Sequence, residues 1–326
     1  MTAAGPSTSD SPPAVDLCRP PLLPARGFQK FLRTCKSRAL SQGATWLGRF
    51  GGLRPGPAFG ILMYHRVAPH VPGKPAPTWN VTPERFQDQI VGLLERGFEA
   101  WPLRYVLDHH HKGLPIPRKA FVVTFDDGYA NVFQNAFPVL SRFRVPATVF
   151  LSTAYLDSDK PFPCDDWSVT GEAGVPADAW RPLTTDECRQ MQKSGLIELG
   201  AHTHTHQDFR NRPEALREDL VSNLAELRQR FGLEDATFAF PYGVTRLGFA
   251  GPPLNQVARE VGLLCSLSTE PELVRPTDEP FNWGRFNAEA YDTPGSLAAK
   301  LQGWYEVLRK AWKGVGRSSK KSGERQ

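Results

Sequence analysis

Short, almost uninterrupted apolar runs alternate with stretches of helical spacing along most of this chain. The first run is Phe59-Gly-Ile-Leu-Met-Tyr-His65, and others cover 120–125, 147–151, 197–201, 237–240 and 263–268. Apolar runs of this length, without polar alternation, predict strands buried on both faces. Residues 131–143, 185–194, 212–231 and 253–261 predict helices between them. Thr82 followed by Pro83 predicts a helix start, with Phe86, Ile90, Leu93 and Leu94 on one face and a stop near Gly97. Strands alternating with helices predict a parallel α/β arrangement, either a sheet or a barrel.

The two ends follow other patterns. Residues 1–26 are rich in Pro, Ser and Ala and lack an apolar core of signal-peptide length. No stretch reaches the roughly 18 apolar residues that span a bilayer. In the basic segment 27–50, Phe28, Phe31, Leu32 and Cys35 recur at helical spacing, with Lys30, Arg33, Lys36 and Arg38 nearby. It reads either as an interfacial helix on anionic lipid or as a helix packed on the main domain. Gly51 to Pro57 reads as a linker. The expected organisation is a disordered or basic amphipathic segment over 1–57, a folded domain over 58–312 and a basic disordered tail over 313–326. A cytoplasmic or peripherally membrane-associated location is expected, with a non-standard export route still open.

Composition changes this picture little. The 326 residues are 40% apolar and 22% charged, an ordinary globular balance, and 30 prolines with 28 glycines imply extensive loops. The net charge of +5 sits largely at the termini, so nucleic acid is not implied. Cys18, Cys35, Cys164, Cys188 and Cys265 are dispersed and odd in number, which argues against a disulfide framework and for thiols that are not ligands.

Candidate chemistry concentrates at three strand ends. Asp126-Asp127-Gly128 follows the run 120–125, where parallel strands build active sites. Successive strand side chains point oppositely, but a turn at Gly128 can bring both carboxylates to one mouth; helix capping is the alternative use. His202 and His206, four residues apart in His202-Thr-His-Thr-His206, can share a metal. One aspartate and two histidines make a facial ligand set for a divalent ion, and the second aspartate could take a proton from water. His204 should point elsewhere or support the ligands from behind. The run His109-His-His111 reads as a solvated loop or helix end. In Thr237-Phe-Ala-Phe-Pro-Tyr-Gly243, Pro241 and Gly243 predict a tight exit that places the Tyr242 N–H over a pocket, where it could stabilise an oxyanion.

Thr124-Phe-Asp-Asp-Gly128, His202-Thr-His-Thr-His206 and Phe238-Ala-Phe-Pro-Tyr-Gly243 resemble the signature motifs of the polysaccharide deacetylases, the NodB-homology group or carbohydrate esterase family four. Leu62-Met-Tyr-His-Arg-Val67, Val81-Thr-Pro-Glu-Arg-Phe86 and Gly97-Phe98 resemble the branch acting on poly-N-acetylglucosamine exopolysaccharide. The resemblance covers roughly 58–312. It implies a single-domain, distorted (β/α) barrel with its site at the C-terminal ends of the strands. It further implies Asp126 as general base, with Asp127, His202 and His206 holding a divalent metal, Zn²⁺ or in its place Co²⁺ or Ni²⁺. Two departures matter. No histidine follows His206, and the resemblance to the exopolysaccharide branch gives the general-acid role to the histidine of its early Tyr-His motif, here His65. Phe238 and Ala239 stand where many relatives carry an arginine, and Arg285 is the candidate substitute for orienting Asp126.

The expected function is metal-dependent removal of N-acetyl groups from N-acetylglucosamine-containing glycan. Two other readings stand beside it. One is deacetylation or deformylation of a lipid-linked amino sugar, with membrane contact through 27–50. The other is a catalytically silent glycan-binding module.

Overall fold

The computed structural model describes residues 27–52, 56–166 and 174–312, the side chains of residues 27–34 excepted. The expectations for 1–26 and 313–326 lie outside these residues. The described strands are β1 (Gly60–Tyr64), β2 (Arg66–Val67), β3 (Asn80–Val81), β4 (Glu99–Ala100), β5 (Ala120–Phe125), β6 (Ala147–Leu151), β7 (Ile197–Ala201), β8 (Phe238–Ala239), β9 (Ser266–Leu267) and β10 (Phe286–Asn287). The helices are α1 (Gly27–Gly51), α2 (Pro83–Leu94), α3 (Leu103–His111), α4 (Phe137–Phe143), α5 (Thr185–Lys193), α6 (Pro213–Phe231), α7 (Pro252–Glu260) and α8 (Pro294–Leu301), and 304–312 is also helical.

One parallel sheet runs in the order β10-β1-β5-β6-β7-β8-β9, with β4 beside β5; β2 and β3 form a separate parallel ribbon. The sheet curls until one segment joins its two edges. Trp283 exchanges backbone hydrogen bonds with Ser266 and Ser268 around β9, and three residues later Phe286 and Asn287 pair with Leu62 and Met63 of β1. This is the distorted (β/α) barrel that the alternation of strands and helices allowed.

Side-chain parity divides the strands between two cores. Leu62, Val123, Val149 and Phe238 pack outward in the cluster shared with the helices, whereas Ile61, Val122, Phe150 and Ala239 pack inward with Trp283. With both faces covered, β1, β5 and β6 are buried at every position, which is why the sequence shows apolar runs and not alternation. Helix α2 starts as expected, the Thr82 hydroxyl accepting from the Arg85 N–H at 3.3 Å, and buries Phe86, Ile90 and Leu93.

For residues 27–50 the packed helix is what the structure shows. Helix α1 lies on α8 and buries Leu40 and Ala44, and the Trp304 indole N–H donates to the Gly52 carbonyl at 2.8 Å. Its outer side leaves Trp46 and Phe50 exposed. His109–His111 form the last turn of α3, one of the two expected forms, and His111 is exposed; only His110 departs from a solvated position, half-buried with its ring 5.2 Å from that of Trp283.

Candidate active site

Parity carried past the last paired residue decides which side chains enter the barrel mouth. His65 follows the phase of Ile61, Asp126 that of Val122, and His202 lies opposite in phase to Ile197, Leu199 and Ala201, which face outward. Arg285 immediately precedes outward-facing Phe286. All four side chains therefore turn into the barrel. Asp127 would turn out, and the backbone prevents it. Asp127 takes φ +72, and the Gly128 N–H donates to the Asp126 carbonyl at 2.9 Å, closing a three-residue turn. Gly128 itself has φ +90, and a Cβ there would meet Leu151 Cδ2 at 2.9 Å.

Backbone hydrogen bonds lock these strand ends together. The Asp126 N–H donates to Tyr64, Ser152 to Asp127 and His202 to Leu151, at 3.0, 3.3 and 3.1 Å. The loop carrying the histidines is braced from α6, where Asp219 accepts from the Thr205 N–H at 3.2 Å and also from the His204 N–H and the Thr205 hydroxyl. Asn223 donates to the Thr203 carbonyl at 2.7 Å and the Leu151 carbonyl at 3.1 Å. His204 turns away and meets the Thr153 hydroxyl at 2.9 Å, a supporting position. Of the eight described non-glycine residues with positive φ, Asp127, Thr203, His206 and Tyr242 belong to this site. Such strain collects where a geometry is imposed by function.

Asp127, His202 and His206 are buried and bring one ligand atom each within 4.8 Å of one another. Both histidine Nε2 atoms lie 3.2 Å from Asp127 Oδ1. Bonds of about 2.1 Å at tetrahedral or octahedral angles separate neighbouring donor atoms by about 3.0–3.4 Å, so a divalent ion fits this triangle. The His202 Nδ1 meets the Ala239 carbonyl at 2.7 Å, which makes Nδ1 the donor and leaves the Nε2 lone pair for the ion.

Asp126 lies beside the triangle and is gripped from the barrel-closing segment. Arg285 donates to its two oxygens at 2.6 and 2.8 Å, to the Thr124 hydroxyl at 3.2 Å, and through Nε to the Ser268 carbonyl at 3.2 Å. Burial pushes the Asp126 carboxyl up, but Arg285 and His202 outweigh it and hold the pKa below the usual range. Burial likewise raises Asp127, and hydrogen bonds from His202 and His206 hold it well below. Burial lowers His65, whose Nε2 lies 4.0 Å from Asp126 Oδ2. For His206 burial acts downward, yet Cys164 and Asp127 beside it raise it well above the ordinary value.

All seven residues singled out from the sequence converge here, including Arg285, 159 positions from Asp126. Tyr242 sits in a second three-residue turn, with φ +61 and the Gly243 N–H donating to the Pro241 carbonyl at 2.7 Å; its ring lies 4.9 Å from that of His206. Sequence reasoning missed Asp219 and Asn223, which carry no motif, and Cys164, which borders His206 outside the ligand triangle. It also missed Trp79, stacked on His65.

Comparison with known proteins gives the same direction. Residues 114–263 match the family model for polysaccharide deacetylase. The poly-beta-1,6-N-acetyl-D-glucosamine N-deacetylase of Escherichia coli K12 is 30% identical over 124 residues, 38% of this chain and 18% of that protein. The protein of that name from Staphylococcus aureus MSSA476 is 24% identical over 212 residues, 62% of this chain and 66% of the other. This chain thus spans less than two thirds of either relative. The structure of IcaB from Ammonifex degensii superposes with a TM-score of 0.62 at 24% identity, over 76% of this chain and 98% of that one, and shares the fold. The chain is therefore similar to the polysaccharide deacetylases over residues 114–263.

Proposed function

We propose that this protein is a metal-dependent hydrolase that removes N-acetyl groups from N-acetylglucosamine-containing glycan. One observation carries the reading: a ligand triangle for a divalent ion lies directly beside a second carboxylate that Arg285 keeps ionised. A site that only bound glycan would need neither. The glycan class is supported by the names of the relatives from E. coli and S. aureus.

Asp127, His202 and His206 would hold the ion, with Zn²⁺ best suited to mixed imidazole and carboxylate donors and Co²⁺ or Ni²⁺ able to replace it. When bound, the ion supplies a Lewis acid and lowers the pKa of water. Asp126, ionised at neutral pH, takes the proton of the attacking water. His65 is held low by burial and is neutral at rest, so the proton it gives to the departing amine comes by way of Asp126. Tyr242, on its tight turn next to His206, would offer its N–H to the oxyanion. Arg285 orients Asp126 and keeps it ionised until it takes that proton.

The test is acetate release measured side by side on β-1,6-linked and β-1,4-linked N-acetylglucosamine oligomers. Faster release from the β-1,6 series supports the poly-N-acetylglucosamine assignment. Equal inertness of both series would contradict the glycan reading.

The lipid-linked amino sugar remains a second reading because Trp46 and Phe50 are 65% and 73% exposed on α1, with Arg49 exposed between them. No described helix is long and apolar enough to cross a membrane. Replacing both aromatic residues by serine would abolish binding to anionic liposomes if this face meets lipid; unchanged binding would discard the idea.

A further inference from the structure

Trp79 is 52% exposed, and it alone among the described exposed large hydrophobic residues touches a residue of the candidate site. Its indole stacks on His65 with centroids 5.4 Å apart and planes 19° from parallel. Its backbone has φ +58, a conformation that bulky side chains rarely adopt. The surrounding chain enforces this. The Trp79 carbonyl accepts from the Arg66 N–H at 3.2 Å, one residue after His65. On one side, Thr78 donates its N–H and hydroxyl to Asp166 at 2.5 and 2.8 Å. On the other, the Asn80 side chain closes a two-bond ring with the Ala68 backbone at 3.0 and 2.9 Å. A residue clamped on both flanks and held at a strained angle is not an idle surface tryptophan. An exposed apolar ring could have been buried or replaced at lower cost, so its presentation at the mouth calls for a ligand.

We infer that Trp79 is a glycan-stacking residue, taking the apolar face of a hexosamine unit next to the one whose N-acetyl group reacts. The inference rests on the deacetylase reading above and names how that site holds its polymer. One ring face of Trp79 is covered by His65, so the remaining face and edge account for its exposure. A pyranose ring offers a face of C–H groups rimmed by hydroxyls, which matches a flat amphipathic indole. His65 separates Trp79 from Asp126, so the stacked unit lies one step along the glycan from the reacting centre.

The test compares wild type with W79N, which tolerates the left-handed backbone, and with W79F, which keeps a ring. Two substrates are used on metal-loaded protein: an N-acetylglucosamine tetramer and a small aryl acetate that reaches the same centre without a sugar. For W79N the expected result is a loss of about tenfold in kcat/KM on the tetramer, carried by KM, with aryl acetate turnover within about twofold of wild type. W79F should recover most of the loss. A parallel fall on both substrates would overturn the inference, because Trp79 would then act only by holding His65. Unchanged tetramer kinetics in W79N would overturn it too. A wild type that hydrolyses the aryl acetate but leaves the tetramer untouched would instead defeat the glycan reading, and the stacking role with it.

Discussion

Arg285 and Asp126 meet as a two-pronged ion pair inside the barrel, with N–O distances of 2.6 and 2.8 Å and the arginine wholly buried. The arginine stands on the segment that closes the barrel, so closure of the fold and ionisation of the proposed base depend on the same residue. Removing the guanidinium strands a buried carboxylate. Arg285→Met should cost about 3–5 kcal/mol of stability, read by urea unfolding. Arg285→Lys keeps the charge but loses the fork, and should retain most of the stability while kcat falls at least about tenfold. Equal stability of Arg285→Met and wild type would refute the link.

The ligand and base assignments separate cleanly. Asp126→Asn should retain nearly full metal content and lose turnover by about a thousandfold, whereas His206→Ala should lose the metal. Metal analysis of both purified variants, beside their kcat, decides it. Equal metal loss in the two would mean that the assignments are wrong.

The brace from α6 predicts an effect from a residue that touches neither metal nor substrate. Asp219 fixes the backbone of His204 and Thr205, just ahead of His206. Asp219→Ala should weaken metal binding about 10–100-fold, as loss of outer support does at other metal sites. Chelator competition measures it, and an unchanged affinity would show that the loop holds its shape unaided.

Acid should drive the ion out. In the metal-free protein His206 titrates above the ordinary histidine value, so its folded-state proton contributes stability that is complete below the unfolded pKa and fades as pH rises through the folded one. An ion must displace that proton. Apparent affinity should therefore rise with pH until the raised folded-state pKa of His206 is passed, with proton release on binding below it. Calorimetry in buffers of different ionisation enthalpy reads the released proton, and a pH-independent affinity would contradict it.

Much of this was legible before any coordinates. The strands at 120–125, 147–151 and 197–201 coincide with the apolar runs, because burial on both faces leaves few polar residues in them. The motif residues announced themselves through unusual neighbours: two aspartates before a glycine, and histidines four apart. Arg285 entered only through the family resemblance, as a substitute for an arginine that relatives carry where this chain has Phe238 and Ala239. Other features were hidden for physical reasons. Helix α8 begins with Thr293-Pro294, the same start as Thr82-Pro83, yet its small residues give a weak periodic signal. Strand β10 is only two residues long and exists because the curled sheet needs closing. Asp219 and Trp79 matter through tertiary contacts that no local pattern encodes.

The central claim is that hydrolysis of an N-acetyl group depends on an ion at Asp127, His202 and His206. Acetate release from N-acetylglucosamine oligomers, followed on chelator-stripped protein before and after refilling with Zn²⁺, Co²⁺ or Ni²⁺, tests it most directly. The account predicts no release from the stripped protein and restored release on refilling, with Asp126→Asn inert under both conditions. Undiminished release by protein verified to be free of metal would contradict it.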